Sequence, residues 1–357
     1  MNRVNLTGFS REELVAFCTS LGESQYRAGQ IFSWIHGKLA PSFAEMTDLP
    51  ISLREQLEEV ALLENLTVVS IQDSALTSSR KFLFQLSDGA RIESVYLPDS
   101  GRHTICLSSQ VGCSLDCTFC ATGKMDYIRN LTAAEIVAQL IAIQRRVEER
   151  ISNVVFMGMG EPFLNYDAVM KSASLINDDK GFAIGARKIT ISTAGIAKNI
   201  VRFADEGHRF RLAFSLNATD ETSRSDIMPI TKKYTLSDCL NALSYYCEKS
   251  RRRVTLEYVL MSGVNDSDRD AGRLVSITRR LKCKLNIIPY NPIPGEVVRR
   301  PTEEELNMFV RKLLPSRSAL TVRWSQGKDI NAACGQLYTQ IGRGTARKQM
   351  EETATAS

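Results

Sequence analysis

Three cysteines stand within eight residues, Cys113, Cys117 and Cys120, in a Cys-x3-Cys-x2-Cys run. Thiolates at this spacing can wrap one face of a metal centre while leaving a fourth coordination position empty. A structural zinc site takes two close pairs. No second pair is present, and the sequence holds three histidines, His36, His103 and His208. Three thiolates with an open position suit an iron–sulfur cluster in which one iron has no protein ligand. Such an iron can hold the substrate that it reduces, whereas a fully ligated cluster could pass an electron but hold nothing. The residues around these cysteines are polar and loop-like, which argues against buried thiols that merely happen to cluster. Cys18, Cys239, Cys247 and Cys283 lie in apolar helix- or strand-like settings and read as core.

The chain that must position this centre has 357 residues, 43% of them hydrophobic and 24% charged, enough to bury a large core and too apolar for global disorder. Nine cysteines in a long chain, an odd number, do not describe a secreted disulfide scaffold. No apolar leader follows Met1-Asn2-Arg3, no lipidation box stands at the end, and no run of 18 apolar residues occurs. The expectation is a cytoplasmic protein with reduced thiols and no membrane contact. A formal charge of +5 permits nucleic acid as a partner without demanding it.

Residues 10–60 read as helical, opened by the capping box Ser10-Arg-Glu-Glu13, and 66–97 as three β-runs separated by Ser-rich and Asp-Gly turns. Beyond residue 103, strands alternate with helices. The strands are expected at 104–107, 153–157, 188–191, 209–214, 253–259 and 284–288. The helices are expected at 132–150, 166–177, 196–206, 235–249, 267–281 and 302–314. Six βα units imply a parallel sheet, either a partial barrel or doubly wound, with active residues at the C-terminal ends of strands. The division expected is a helical accessory domain at 1–65, a β extension at 66–100, the βα domain at 101–320, a C-terminal strand and cysteine loop at 321–342, and a disordered tail at 343–357.

The spacing with Phe119 before the last cysteine resembles the signature of radical S-adenosylmethionine (SAM) enzymes. Thr104-Ile-Cys-Leu-Ser-Ser-Gln-Val-Gly-Cys113, Gly158-Met-Gly-Glu-Pro162, Ile191-Ser-Thr193, Met228-Pro-Ile230, Val264-Asn-Asp266, Tyr290-Asn-Pro292 and Asp329-Ile-Asn-Ala-Ala-Cys-Gly-Gln-Leu337 together resemble the RlmN/Cfr group of RNA adenosine methyltransferases, from about residue 5 to about 340. The resemblance implies an α/β fold, a partial (βα)6 radical-SAM barrel with the N-terminal helices and β extension attached. It implies one 4Fe–4S cluster on Cys113, Cys117 and Cys120, and two SAM molecules per turnover. Also implied are 23S rRNA at the peptidyl-transferase centre and tRNA next to the anticodon as substrates, an electron donor such as a flavodoxin, and a monomer.

Adenine ring carbons are not nucleophilic, so a radical route is needed. By the resemblance Cys334 carries the methyl group, Cys106 resolves the protein–RNA adduct through a disulfide, and Glu93 is a proton acceptor. A methyl-carrying thiol should be accessible as thiolate, with Ala332, Ala333 and Gly335 allowing close approach. SAM contacts are implied at Gly160, Glu161, Ser192, Ser215, Leu216, Asn217 and Asn291. Two positions depart from the group's pattern: Asn217 stands where histidine is usual, and Asn331 where aspartate is. Pro162 matches the branch that methylates C2; the alternatives are C8, as in the Cfr branch, or another substrate of a diverged paralogue. Arg145-Arg146, Lys232-Lys233, Arg251-Arg252-Arg253, Arg279-Arg280, Arg299-Arg300, Arg343, Arg347 and Lys348 are cations that can meet phosphates, although most such pairs are solvated surface.

Overall fold

The computed structural model describes residues 3–316 and 318–339; the tail expected at 343–357, with Arg343, Arg347 and Lys348, lies outside the described residues. The chain begins with three helices, α1 (Arg11–Ser20), α2 (Tyr26–Phe32) and α3 (Ile51–Val60). The capping box on α1 forms: Ser10 Oγ accepts from Glu13 N, and the Glu13 carboxylate accepts from Ser10 N. This helical unit docks on the rest of the chain through Lys171–Glu13 (2.6 Å) and Arg11–Asp178 (3.0 Å). Gly8 also packs there, where a side chain would meet the backbone of Ala134 at 3.1 Å.

One ten-stranded sheet follows, its strands in unbroken chain order. β1 (Thr67–Asp73), β2 (Arg80–Gln85), β3 (Arg91–Asp99) and β4 (Arg102–Cys106) form an antiparallel meander. From β4 onward all pairings are parallel: β5 (Asn153–Phe156), β6 (Ile189–Thr193), β7 (Arg211–Ser215), β8 (Val254–Leu260), β9 (Cys283–Pro289) and β10 (Ala319–Val322). Between them run α4 (Ala133–Gln144), α5 (Tyr166–Asn177), α6 (Ala197–Asp205), α7 (Glu221–Ile227), α8 (Leu236–Ser250), α9 (Asp268–Arg280) and α10 (Glu303–Lys312). The inner parallel strands carry the near-continuous apolar runs that burial on both faces requires.

A doubly wound sheet reverses its strand order at a switch point; this one never does. Its curvature shows in one contact. Arg323, just past β10, places Nη1 3.7 Å from Sδ of Met157, just past β5. Five strand spacings in a flat sheet would separate them by about 24 Å. The parallel strands therefore curl into a partial barrel, and among the described residues β1 and β10 are the edges of the sheet.

Two expectations need correction. The helix expected over 132–150 stops at Gln144, because residues 145–150 carry Arg, Arg, Val, Glu, Glu and Arg and offer no apolar face to bury. Arg145 instead turns to Leu39 O and Asn65 Oδ1 in the N-terminal region. The short α7 was not expected; Asp220 caps it by accepting from Ser223 N at 3.0 Å. Among the described residues no helix is long and apolar enough to cross a membrane.

Candidate functional site

Cys113, Cys117 and Cys120 lie on the loop between β4 and α4, at the C-terminal mouth of the barrel. Residue type dictates the loop's path at one point. Gly112 has φ +74°, and a side chain there would sit 1.9 Å from Asp126 O, so only glycine can precede Cys113. Main-chain bonds hold the loop to the barrel: Ser109 N donates to Met159 O (2.8 Å) and Thr118 N to Ile227 O (3.1 Å). The side chain of Asn165 donates to Ser109 O and Leu131 O, closing both ends.

All three thiols line one cavity, and burial pushes each one upward, Cys113 to about 12. Backbone N–H groups oppose this at two sulfurs, from Leu115 at Cys113 and from Gly123 and Thr122 at Cys120. Among the described residues no three His, Cys, Asp or Glu side chains converge tightly enough for a single ion. Ligands of three different irons in a cubane need not converge on one point. Three desolvated thiols, two with N–H donors aimed at the sulfur, are a donor set that fits such a cluster and gains its missing counter-charge from it.

Later strand ends supply polar groups around the same cavity. Glu161, past β5, is 3% exposed; its carboxylate accepts from Ala194 N (2.7 Å) and Phe163 N (2.9 Å). Burial raises this carboxyl to about 7, against those two N–H bonds. Gly160, Ser192, Ser215 and Asn217 line the cavity with it. The glycines here answer a packing need. A side chain on Gly160 (φ +94°) would strike Gln110 at 2.5 Å and one on Gly158 would strike Leu107 O at 2.7 Å, so they permit packing against the protein's own loop.

Leu216 is fully buried behind the cavity, its N–H bonded to Glu257 O and its carbonyl to Arg224 Nε. Asn291 is also outside the lining. Its Nδ2 donates to Cys334 O (3.1 Å) and Ser325 Oγ (2.9 Å) and its Oδ1 accepts from Arg300 (3.0 Å), which makes it a tie between β9 and the Cys334 loop.

Both departures from the family pattern fall in left-handed backbone, Asn217 at φ +55° and Asn331 at φ +51°. Asparagine, aspartate and histidine are the side chains that tolerate this region best. The backbone demand is therefore met by either residue at each position. Asn217 also accepts from Val259 N through Oδ1 (3.0 Å).

Cys334 sits on the loop after β10, and the turn between β1 and β2, with Lys81 of β2, fastens that loop. Asp329 accepts from Ser74 Oγ (2.7 Å) and Ala75 N (3.0 Å), Gln326 from Ser79 Oγ (3.2 Å), and Asn331 O from Lys81 Nζ (3.4 Å). The loop also meets the cysteine-rich loop directly, through Ala121 N to Gly335 O (2.6 Å) and Thr122 Oγ1 to Leu337 O (2.6 Å). Cys334 and Cys106 line the cavity with the three cluster cysteines and act on each other electrostatically. As a residue Cys334 is exposed. Its thiol is nevertheless desolvated at the cavity mouth and pushed up to about 11, and burial pushes Cys106 to about 12. Burial thus works against the accessible thiolate expected at Cys334, and Arg323 works for it.

Glu93 is not a solvent-facing strand glutamate. It is 4% exposed, ion-paired with Lys81 (3.1 Å), and accepts from Tyr338 N (2.9 Å). It lines a neighbouring cavity with Lys81, Arg91 and Gln336. Glu93 and Lys81 thereby grip the Cys334 loop on both sides of the cysteine.

Sequence reasoning missed Arg323, Glu257, Arg224 and Lys81. Glu257 interrupts the apolar run of β8 on its inward face, a signal that could have been read. Arg224 is fully buried and donates to Leu216 O, Ser215 O, Ala194 O and Thr231, tying together the ends of β6 and β7. Of the cationic pairs, Arg299 is ion-paired with Glu305, Arg279 reaches Pro315 O, and Arg252 and Arg253 lie at the N-terminal ends of the strands, opposite the cysteines. Cys18, Cys239, Cys247 and Cys283 are buried, as expected of core.

The model of the radical SAM superfamily matches residues 107–275, and that of the ribosomal RNA large subunit methyltransferase N-terminal domain matches 4–63. A probable dual-specificity RNA methyltransferase RlmN of Thermotoga maritima is 44% identical over 333 residues, 93% of this chain and 97% of the relative. The dual-specificity RNA methyltransferase RlmN of Geobacter sulfurreducens is 44% identical over 338 residues, 95% and 93%. A crystal structure of a radical SAM methyltransferase from Sphaerobacter thermophilus superposes with a TM-score of 0.90 at 42% identity, covering 94% of this chain and 99% of that one.

Proposed function

Given that the chain belongs to the RlmN family of radical SAM methyltransferases, we propose that it methylates carbon C2 of an adenosine in RNA, at the peptidyl-transferase centre of 23S rRNA and in tRNA beside the anticodon. The observation that carries this reading is that Cys334 and Cys106 open onto the same cavity as Cys113, Cys117 and Cys120. A protein that merely held a cluster or bound RNA would need neither of the two additional thiols.

The roles follow from chemistry and position. Cys113, Cys117 and Cys120 hold the 4Fe–4S cluster, which, when bound, supplies the electron that makes SAM a source of a 5′-deoxyadenosyl radical. Glu161 is a carboxylate fixed by two backbone N–H groups and suits the ammonium group of SAM. Ser192, Ser215 and Asn217 offer hydrogen bonds around it. Cys334 accepts a methyl group on its sulfur and loses its proton, and Arg323, the cation facing both thiols, favours that loss. A hydrogen atom lost from the S-methyl group to the 5′-deoxyadenosyl radical would leave the carbon that adds to the adenine ring, and the adduct would give up the ring proton and one electron, the latter to the cluster. Cys106, as thiolate, then attacks the Cys334 sulfur: the S–S bond forms as the S–C bond to the RNA breaks, and the released carbon keeps the electron pair and takes a proton to become the methyl group. Glu93, whose carboxyl burial raises, is the candidate for the proton lost from the base carbon. Leu216 and Asn291 support the site from behind, the former through its main chain and the latter through the Cys334 carbonyl.

The test is anaerobic reconstitution with iron and sulfide, addition of SAM and reductant, and mass spectrometry of digested rRNA and tRNA against 2-methyladenosine and 8-methyladenosine standards. The expected product is 2-methyladenosine, absent with Cys334→Ala. Methylation that survives Cys334→Ala would overturn the mechanism, and 8-methyladenosine would overturn the assignment to C2.

A further inference from the structure

The residue that follows Arg323, in the segment after β10, is not part of the cavity lining. Trp324 is 51% exposed, on the outer side of the loop that carries Cys334. Two cations flank its ring: Arg300 with its guanidinium carbon 5.8 Å from the ring centroid, and Lys328 with Nζ at 5.7 Å. These distances are at the outer limit of a cation–π contact, so neither cation seals the ring face. Among the described residues neither has a carboxylate within ion-pair distance. The nearest acids are committed elsewhere, Asp329 to Ser74 and Ala75, and Glu305 to Arg299. Desolvation holds both cations below their ordinary values, and Arg300 lowers Lys328 further. Arg300 Nη2 is buried without a hydrogen-bond partner. Arg300 is anchored through Nη1 to Tyr290 O (3.0 Å) and Asn291 Oδ1 (3.0 Å), and the two like charges beside an open aromatic face have no carboxylate among the described residues to balance them.

One side chain joins this group to the chemistry. Asn291 accepts from Arg300 Nη1 and donates both to Ser325, the neighbour of Trp324, and to the carbonyl of Cys334. An adenosine presented to Cys334 must leave its stack, so the base beside it loses a stacking partner. We propose that Trp324, Arg300 and Lys328 form a platform for the nucleotide next to the target adenosine, the indole stacking on its base and the two cations taking its phosphate. The proposal rests on the RNA-methylation reading and adds to it a recognition site outside the cavity.

The chain contains two tryptophans, Trp34 and Trp324. A Trp34→Phe background therefore makes Trp324 a single fluorescent reporter. The probe is an in vitro transcribed 23S rRNA fragment spanning the peptidyl-transferase centre, titrated anaerobically into the reconstituted full chain. Trp324 emission is expected to fall by more than half, as stacking on a base requires, and heparin, a polyanion without bases, should leave it nearly unchanged. Trp324→Ala should raise KM for the RNA about tenfold, and Trp324→Phe should restore most of it. Lys328→Gln should make the salt dependence of binding shallower by about one unit.

Methyladenosine formed without quenching, with KM unmoved by Trp324→Ala, overturns the platform and leaves the RNA reading standing. Equal quenching by heparin also overturns stacking. No methyladenosine on any rRNA or tRNA overturns the RNA reading, and the platform with it.

Discussion

Two loops meet over the barrel mouth, and they are held in different ways. The loop bearing Cys113, Cys117 and Cys120 is fastened mainly by main-chain bonds to strand ends and by Asn165, with its cysteines drawn inward. The loop bearing Cys334 is fastened mainly by side chains reaching across from the antiparallel region, Ser74 and Ser79 in the turn between β1 and β2, Lys81 on β2 and Glu93 on β3, and its cysteine is exposed. Main-chain anchoring suits a donor set whose positions must not change. Side-chain anchoring suits a residue that receives a methyl group, meets a large substrate and lets it go. The two loops come from opposite ends of the parallel part of one sheet, after β4 and after β10.

Removing a thiol from each loop should separate the two roles most sharply. Cys117→Ala is expected to abolish iron–sulfur absorbance, SAM cleavage and methylation together, whereas Cys334→Ala should keep the absorbance and lose methylation by at least about 10³-fold. Iron content, the visible spectrum and product formation measured on the same samples check this. Loss of iron in Cys334→Ala would remove the distinction between the loops.

Next in size are the buried anchors. Breaking the Lys81–Glu93 pair by Lys81→Met leaves Glu93 buried and unpaired, which costs about 3–5 kcal/mol where such a pair is well desolvated. Faster hydrogen exchange of the Tyr338 amide and a methylation rate about tenfold lower are expected. Glu93→Gln keeps an acceptor for Tyr338 N but cannot take a proton. A rate about tenfold or more below that of Lys81→Met marks Glu93 as the proton acceptor, and equal rates mark it as an anchor only.

The cavity beneath the loops should respond to pH through Glu161. Its carboxyl, ordinarily near 4.5, is raised to about 7, so it is neutral below that point and charged above it. A charged carboxylate is the form that pairs with an ammonium group. SAM affinity should therefore rise with pH through 7, with Kd about tenfold weaker at pH 6 than at pH 8. Calorimetric titration checks this, and Glu161→Gln should flatten the profile. A flat profile in the unsubstituted chain would remove Glu161 from SAM binding.

The smallest effects belong to the left-handed turns. Asn331→Ala is expected to cost about 1 kcal/mol in thermal unfolding, because alanine pays the full steric penalty at φ +51°. Asn331→Gly and Asn331→Asp should fall within about 0.5 kcal/mol of the unsubstituted chain. A larger effect of Asn331→Asp on methylation than on stability would give the charge at this position a chemical role.

Local signals were the most legible. The capping box at Ser10 forms as read, and others form at Thr132 and Thr302, each a contact between residues three apart. The strands were found to within three residues at each end because apolar runs bounded by turns depend little on the rest of the chain. Boundaries failed where the decision was tertiary, as at Gln144, beyond which Val147 and Ile151 reach the core outside a helix and Arg145 turns to Leu39 O and Asn65. That Cys113, Cys117 and Cys120 belong together was legible from spacing alone, and all three line one cavity. The work of Asn291, Lys81 and Arg323 was not, because their partners lie on strands or loops far along the chain.

The sequence by itself determined the chemistry available: three thiols at ligand spacing, two more within family motifs, and six βα units to carry them. The tertiary structure alone decided that the strand order never reverses and that the sheet curls. That curl carries Cys334, 214 residues beyond Cys120, onto the same cavity. The reason is physical. Spacing and capping act over a few residues and are written in adjacent letters, whereas curvature sums small twists over ten strands, and a buried thiol's charge state depends on whatever that sum brings beside it.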